Sequence, residues 1–252
     1  MKAPSFAGVV ERRLLVNYRT DPDITARLLP APLRPQVVNG WAVAGICLIR
    51  LGQLRPKGVP ALVGLRSENA AHRIAVEWDT DAGPRRGVFI PRRDTGSLAN
   101  TVLGGRLFPG EHHRARFDVQ ETRSALRVAF ASTDSTAHVD VRVTAGGGWT
   151  GSELFGDLPD ASEFFRQGGD GYSATADEHR LEGLRLQADL WSVEPVDVVA
   201  AASSFFDDRS RFPAGTATLD CALLMRDVPV VWHPLPAMRV NPTRESVLVE
   251  QA

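Results

Sequence analysis

The chain has 252 residues and a formal net charge of −1, long enough to bury a substantial core in one domain or two. That near-neutral charge excludes a general attraction to nucleic acid or anionic membrane. Almost all the positive charge is arginine, since only Lys2 and Lys57 are lysines; a guanidinium suits carboxylate binding and is useless for imine formation.

In chain order, Arg12–Tyr18 reads as a first strand. Thr20 or Asp21 caps a helix with Pro22 in its first turn, running through Leu28-Leu29 to Pro30. Trp41–Leu51 is a long apolar strand, Arg73–Trp78 alternates in the strand manner, and Gly87–Pro91 is a short strand. Ser97–Leu103 is expected to be a short helix. Strands follow over Ala115–Thr122, Leu126–Ala131 and His138–Thr144, then a turn at Gly146-Gly147-Gly148 and a helical turn or two over Asp160–Phe165. Leu184–Ser192 is a strand, Pro195–Phe206 is mixed, and Ala217–Met225 and Val228–Trp232 close the pattern. Strands in sequential order predict an antiparallel sheet or barrel with a few flanking helices. Cys47 and Cys221 each sit in an apolar run and read as buried free thiols. No secretory signal opens the sequence and no uncharged run is long enough to span a bilayer, so a soluble cytoplasmic protein without membrane contact is expected.

Three groups of residues carry candidate chemistry. Glu68 and His72 share a face in extended or helical backbone, and a carboxylate beside an imidazole can act as a general base; a salt-bridged loop with Arg73 is the alternative. Arg92-Arg93 follow the apolar strand and precede Asp94-Thr95, so one guanidinium is expected at a barrel mouth, clamping a carboxylate, or paired with Asp94. Arg106 and Glu111-His112-His113 form the third group. Alternation sends the two histidines to opposite faces, so at most one lines a given pocket; His112 is the candidate for proton transfer. A metal held by Glu68, His112 and a third ligand is conceivable, but no metal-spaced motif occurs and no metal or other cofactor is expected. His233 reads as packed or capping, His138 and His179 as surface. No basic-aromatic interleaving for nucleic acid is present.

Several stretches in order carry a family resemblance: Leu15-Val16-Asn17-Tyr18-Arg19-Thr20-Asp21-Pro22, Leu28–Leu33, Gly104-Gly105-Arg106 with Phe108-Pro109, and Arg185-Leu186-Gln187 followed by Pro195–Val199 and Ser203-Ser204. Together they resemble the acetoacetate decarboxylase-like superfamily, most closely an uncharacterised bacterial branch. The resemblance implies an α+β fold, a cone-shaped antiparallel β-barrel with a few flanking helices, built as one domain over 1–238 with a polar tail at 239–252. It places the family's catalytic Glu on Glu68 and a family Arg on Glu11, with Arg12 one place along. The family's two lysines, one of which forms the Schiff base, fall on Gly110 and Glu111, so Schiff-base decarboxylation is not expected. The expectation is a pocket for a small carboxylate or carbonyl compound, with lyase, hydratase or isomerase chemistry if it is an enzyme. Glu68, His72 and His112 would be catalytic; Arg92, Arg93 and Arg106 would bind substrate. A non-catalytic binding or sensing protein is the alternative, and a homo-oligomer is implied.

Overall fold

The computed structural model describes residues 5–97 and 110–242. Its elements are β1 (Phe6–Thr20), α1 (Pro22–Ala26), β2 (Arg34–Pro35), β3 (Val37–Val38), β4 (Trp41–Pro56), β5 (Leu65–Thr80), β6 (Gly83–Thr95), β7 (His112–Glu121), β8 (Ala125–Ser132), β9 (His138–Ala145), α2 (Leu158–Gln167), β10 (Asp170–Ser173), β11 (Arg180–Ala188), β12 (Glu194–Ser203) and β13 (Ala217–Arg239). Among the described residues no helix is long and apolar enough to cross a membrane.

Two long strands fork. β6 pairs along one edge with β5, while its other edge is divided between β10 at Val88–Ile90 and β7 at Arg93–Thr95. β13 pairs along one edge with β1, and its other edge is divided between β12 at Ala222–Leu224 and β11 over Val230–Arg239. The forks close the sheet twice. One ring runs β6-β7-β8-β9-β12-β13-β1-β4-β5, the other β6-β10-β11-β13-β1-β4-β5. Strands β13, β1, β4, β5 and β6 form a wall common to both, so alternation along them assigns each side chain to one ring or the other.

This explains why Leu14-Leu15-Val16 and Ala42–Leu48 are continuous apolar runs rather than alternating ones: a strand covered on both faces is hydrophobic on both. Leu14, Val16, Leu48 and Ile74 pack with Val128, Phe130 and Val141 inside the nine-stranded ring. Val10, Leu51, Leu184, Val230 and Trp232 pack inside the seven-stranded one. Helix α2, capped by Asp157 accepting from the Asp160 N–H at 2.8 Å, lays Ala161 and Phe165 against Leu15, Cys47 and Ala71. Leu14 and Leu15 are both fully buried, each contributing about 2 kcal/mol from opposite faces of one strand.

The structure differs from the sequence pattern at several elements. The pairings of β6 with β7 and with β10 are parallel, departing from the all-antiparallel expectation because both partners join β6 across a crossover rather than a hairpin. α1 is capped at Asp21 as expected but stops at Ala26, where the N–H groups of Arg27, Leu28 and Leu29 tighten onto carbonyls three residues back. β5 starts at Leu65, eight residues before the expected strand, and β11 ends at Ala188 rather than Ser192. Arg226-Asp227 does not separate two strands: Asp227 has φ 53°, yet β13 keeps its register with β1 across it, Val10 opposite Val228 and Arg12 opposite Arg226. The helix expected over Ser97–Leu103 lies, beyond Ser97, outside the described residues.

Candidate functional site

A cavity of about 120 Å³ lies inside the seven-stranded ring. The shared wall supplies Arg13 from β1, Cys47 from β4, Arg73 from β5 and Arg93 from β6, and β7 adds His112 at its first residue. Register explains why these converge. Leu15 stands opposite Cys47, Gly45 opposite Arg73 and Ala71 opposite Arg93, and residues directly opposite in antiparallel strands share a face. Gly45 is required there, since a Cβ on it would lie 2.4 Å from the Val16 carbonyl oxygen and 3.3 Å from the Arg73 guanidinium. The remaining walls are largely apolar, with Ile49, Leu51, Leu184, Leu186 and Trp232.

Three guanidiniums enter this largely apolar space, and the one acid in the described lining, Asp94, is already paired with Arg92. Arg13 donates to Cys47 Sγ at 3.5 Å and lies 5.9 Å from the Trp191 ring. Arg73, 3% exposed, donates to Asn17 Oδ1 and stacks 4.7 Å from the Phe165 ring. Arg93 donates to Ser173 Oγ at 3.0 Å. The Nε atoms of Arg13 and Arg73 are buried without a hydrogen-bond partner among the described residues. Among the described residues the nearby carboxylates are engaged by other arginines: Glu68 and Glu121 by Arg12, Arg50 and Arg226, Asp94 by Arg92, Asp170 by Arg85 and Arg185. Burial lowers the pKa of Arg73, and pulls that of Arg93 down to about 10. A buried charge without a counter-charge is costly, and three around one hollow fit an anion.

His112 supplies the ring nitrogen. Its Nδ1 lies 3.1 Å from the Gly110 carbonyl oxygen; Gly110 has φ 91°, and a Cβ there would meet Ser173 Cβ at 2.4 Å. Burial first, then the Arg93 charge, lower the His112 pKa to about 4. The imidazole is therefore neutral at pH 7, with Nδ1–H donated to the carbonyl and Nε2 left as an acceptor.

The residues singled out in the sequence divide between the two faces of the wall. Arg93 and His112 line the cavity. Glu68 and His72 do share a face, the opposite one. Glu68 accepts from Arg12 at 2.5 Å and Arg50 at 2.6 Å, in a cluster completed by Glu121 and Arg226. His72 is fully buried against Phe205, 3.5 Å from Ser203 Oγ, and burial followed by the charges of Arg92 and Arg211 pushes its pKa down to about 3. Arg92 turns to Asp94, at 2.9 Å, and Asp134. His113 leaves the cavity for Asp134 at 2.9 Å. Arg106, with the rest of Leu103–Pro109, lies outside the described residues. Arg13, Arg73 and Cys47 were not grouped from the sequence. The signal was available: extending strand alternation back through Arg66–His72 puts Asn69, Ala71 and Arg73 on one face and Glu68, Ala70 and His72 on the other.

A family model for DUF2071, described as an uncharacterized conserved protein, matches residues 10–224. No curated protein matches the sequence. Solved structures do. The acetoacetate decarboxylase of Legionella pneumophila aligns with TM-score 0.59 at 12% identity, over 95% of this chain and 88% of that one. An acetoacetate decarboxylase-like enzyme from Sphingomonas wittichii gives 0.56 at 14%, over 96% and 94%. The enduracididine biosynthesis enzyme MppR, solved in complex with pyruvate, gives 0.54 at 12%, over 96% and 92%. At such identities the likeness is one of fold, and the fold is acetoacetate decarboxylase-like.

Proposed function

The chain belongs to the DUF2071 family, and for this member we propose a pocket protein that binds a small carboxylate, and acts on it, without Schiff-base chemistry. One observation carries this: Arg13, Arg73 and Arg93 converge on one cavity and, among the described residues, none of the three is ion-paired, the acid in the lining, Asp94, being taken by Arg92. A volume near 120 Å³ is below the ~150 Å³ of a cavity known to hold benzene, so the ligand is of pyruvate size. Pyruvate bound to MppR, on the same fold, supports that scale. An imine route is not part of this reading, because Lys57 is exposed and absent from the cavity lining and the resemblance puts the family's two lysines on Gly110 and Glu111.

Two guanidiniums would clamp the ligand carboxylate and the third would face a neighbouring carbonyl oxygen. A guanidinium placed where an enolate oxygen develops charge stabilises it in a low-dielectric site. His112 Nε2 would take the proton from the adjacent carbon, which is the shared first step of lyase, hydratase and isomerase reactions at such compounds. An anion in the cavity would raise the His112 pKa from its low resting value, so the base becomes effective when the ligand arrives. Glu68, Arg92 and His72 would brace the wall from its other face. A binding protein without turnover is the second reading, favoured by that same low value of about 4. The reading retains Arg106 as a substrate-binding candidate, a single domain through 238, a cytoplasmic location and a homo-oligomer, the last to be checked by native mass spectrometry.

The test is a thermal-shift screen of 2-oxo, hydroxy and unsaturated carboxylates, followed by product analysis of any hit. Saturation at a hundredfold excess over Kd adds about 2.7 kcal/mol, or roughly 5 °C for a chain of this length. Arg93→Gln and Arg73→Gln should lose that shift. Equal responses from these variants and the wild type would overturn the proposal, as would silence across the panel.

A further inference from the structure

We infer that Cys47 is a nucleophilic thiol of the cavity, placed to bond covalently to the electrophilic carbon of an anionic ligand, such as a 2-oxo or α,β-unsaturated carboxylate. The inference rests on the cavity being an anion site. Cys47 stands in the centre of β4, on the face turned into the seven-stranded ring, and lines the cavity together with Arg13, Arg73 and Arg93. Arg13 donates to its sulfur at 3.5 Å. Arg73, almost wholly buried, contributes to the same lining a guanidinium whose Nε has no partner among the described residues. Two cations beside one sulfur, with the acid of the described lining, Asp94, neutralised by Arg92, is an arrangement that favours thiolate, the form that attacks carbon.

The balance of forces at the sulfur agrees. Burial raises the thiol, but the charges and hydrogen bonds of Arg13 and Arg73 outweigh it and the net displacement is downward. Cys221, also buried and free, is the internal contrast: burial and the Asp220 charge push it up to about 12. The wall thus holds two thiols with opposed electrostatics, and only Cys47 shares the cavity with the three guanidiniums.

With a 2-oxo carboxylate the step is an addition. The sulfur lone pair forms the S–C bond to the carbonyl carbon, the C=O π pair moves to oxygen, and the resulting alkoxide is held by a guanidinium. The proton released by the thiol returns to that oxygen, giving a neutral hydroxyl and a tetrahedral thiohemiketal. With an unsaturated carboxylate the sulfur adds to the β-carbon, and the same proton returns to the α-carbon. No oxidant or reductant is consumed.

The experiment compares iodoacetate with iodoacetamide, read as the rate of mass increase of the intact protein and located by peptide mapping. In both reagents the sulfur displaces iodide; only iodoacetate carries a carboxylate. In the Cys221→Ser variant, which leaves Cys47 as the one thiol, iodoacetate should react at least about tenfold faster than iodoacetamide, and added salt should shrink that ratio. In Cys47→Ser, which leaves Cys221, neither reagent should label the folded protein. No labelling of Cys47, or labelling faster with iodoacetamide, overturns the inference. The Cys47→Ser variant also separates the two levels of failure. If it keeps a carboxylate-induced thermal shift while Cys47 proves unreactive, the anion site stands and the nucleophile falls; if neither protein shifts, the anion site itself falls.

Discussion

Replacing Arg93 by methionine should make the empty protein more stable and the liganded protein less so. Holding Arg93 at a pKa of about 10 corresponds to about 3 kcal/mol acting against its charged form in the fold. Its described hydrogen bond is the one to Ser173 Oγ at 3.0 Å, and Ser173 is 1% exposed, so losing that partner returns about 1 kcal/mol of penalty. Methionine keeps the length and apolar stem while removing the charge, and buried ionic groups replaced by apolar ones of similar volume are often neutral to stabilising. The net expectation is a gain of about 2 kcal/mol. With an unfolding entropy of about 2.1 cal/mol/K per residue this is a rise of about 4 °C in Tm. Differential scanning calorimetry of Arg93→Met and wild type, each with and without a carboxylate found by screening, reads both halves: higher Tm when empty, no response to ligand. A fall in Tm of the empty variant would refute the reasoning, because it would show the guanidinium contributing net stability to the fold rather than awaiting an anion.

Other variants probe the wall from its two sides. Glu68→Gln should cost about 2 kcal/mol in urea unfolding, since it leaves Arg12, 1% exposed, with Glu121 as its remaining acid; the carboxylate-induced shift should survive, and its loss would return Glu68 to the binding site. His72 and His112, held near 3 and 4, stay neutral in the fold while the unfolded chain protonates near 6.5. Stability should therefore be complete above about pH 6.5 and decline as pH falls toward 3, His72 alone accounting for about 5 kcal/mol at the acid end. His72→Gln should flatten the pH dependence of the urea midpoint, and an unchanged slope would contradict the assignment. At Gly171 a Cβ would meet Ile90 and Val88 at 3.4 and 3.5 Å, ordinary contact inside the cavity. Gly171→Ala should then hold or gain up to about 1 kcal/mol while weakening carboxylate binding in calorimetric titration; a destabilised variant would mean the backbone there needs glycine.

The sequence made the strands visible and concealed how they close. Cap and turn chemistry at Asp21-Pro22 and the apolar run over Trp41–Leu51 are local signals, and both elements formed where those signals lie. The forks in β6 and β13 depend on which distant strand meets each half of an edge, for which no local residue codes. The site was half legible for the same reason. Alternation separates His112 from His113 and Arg92 from Arg93, and the structure sends one member of each pair to the cavity and the other to an acid. Which member goes inward depends on register against β5. Glu68 and His72 share a face as their spacing requires, while Arg73, next in sequence to His72, lies on the other side of β5 and lines the cavity. Arg13 and Cys47 carry no motif at all; their meaning comes from pairing across β1 and β4.

The pairing of Phe6 with Trp232 has a bearing on how the molecule is made. Both closures pass through β13, so neither is complete while a ribosome still lacks that strand. Until then β1, which precedes the other strands, presents one bare edge whose eventual partner has not been synthesised. Contacts this distant in sequence make for slow folding, and an unpaired apolar edge invites pairing with other chains. Nascent chains of this protein should thus lean on chaperones until β13 clears the exit tunnel, and the cavity, whose walls come from both extremes of the sequence, would be among the last features to appear.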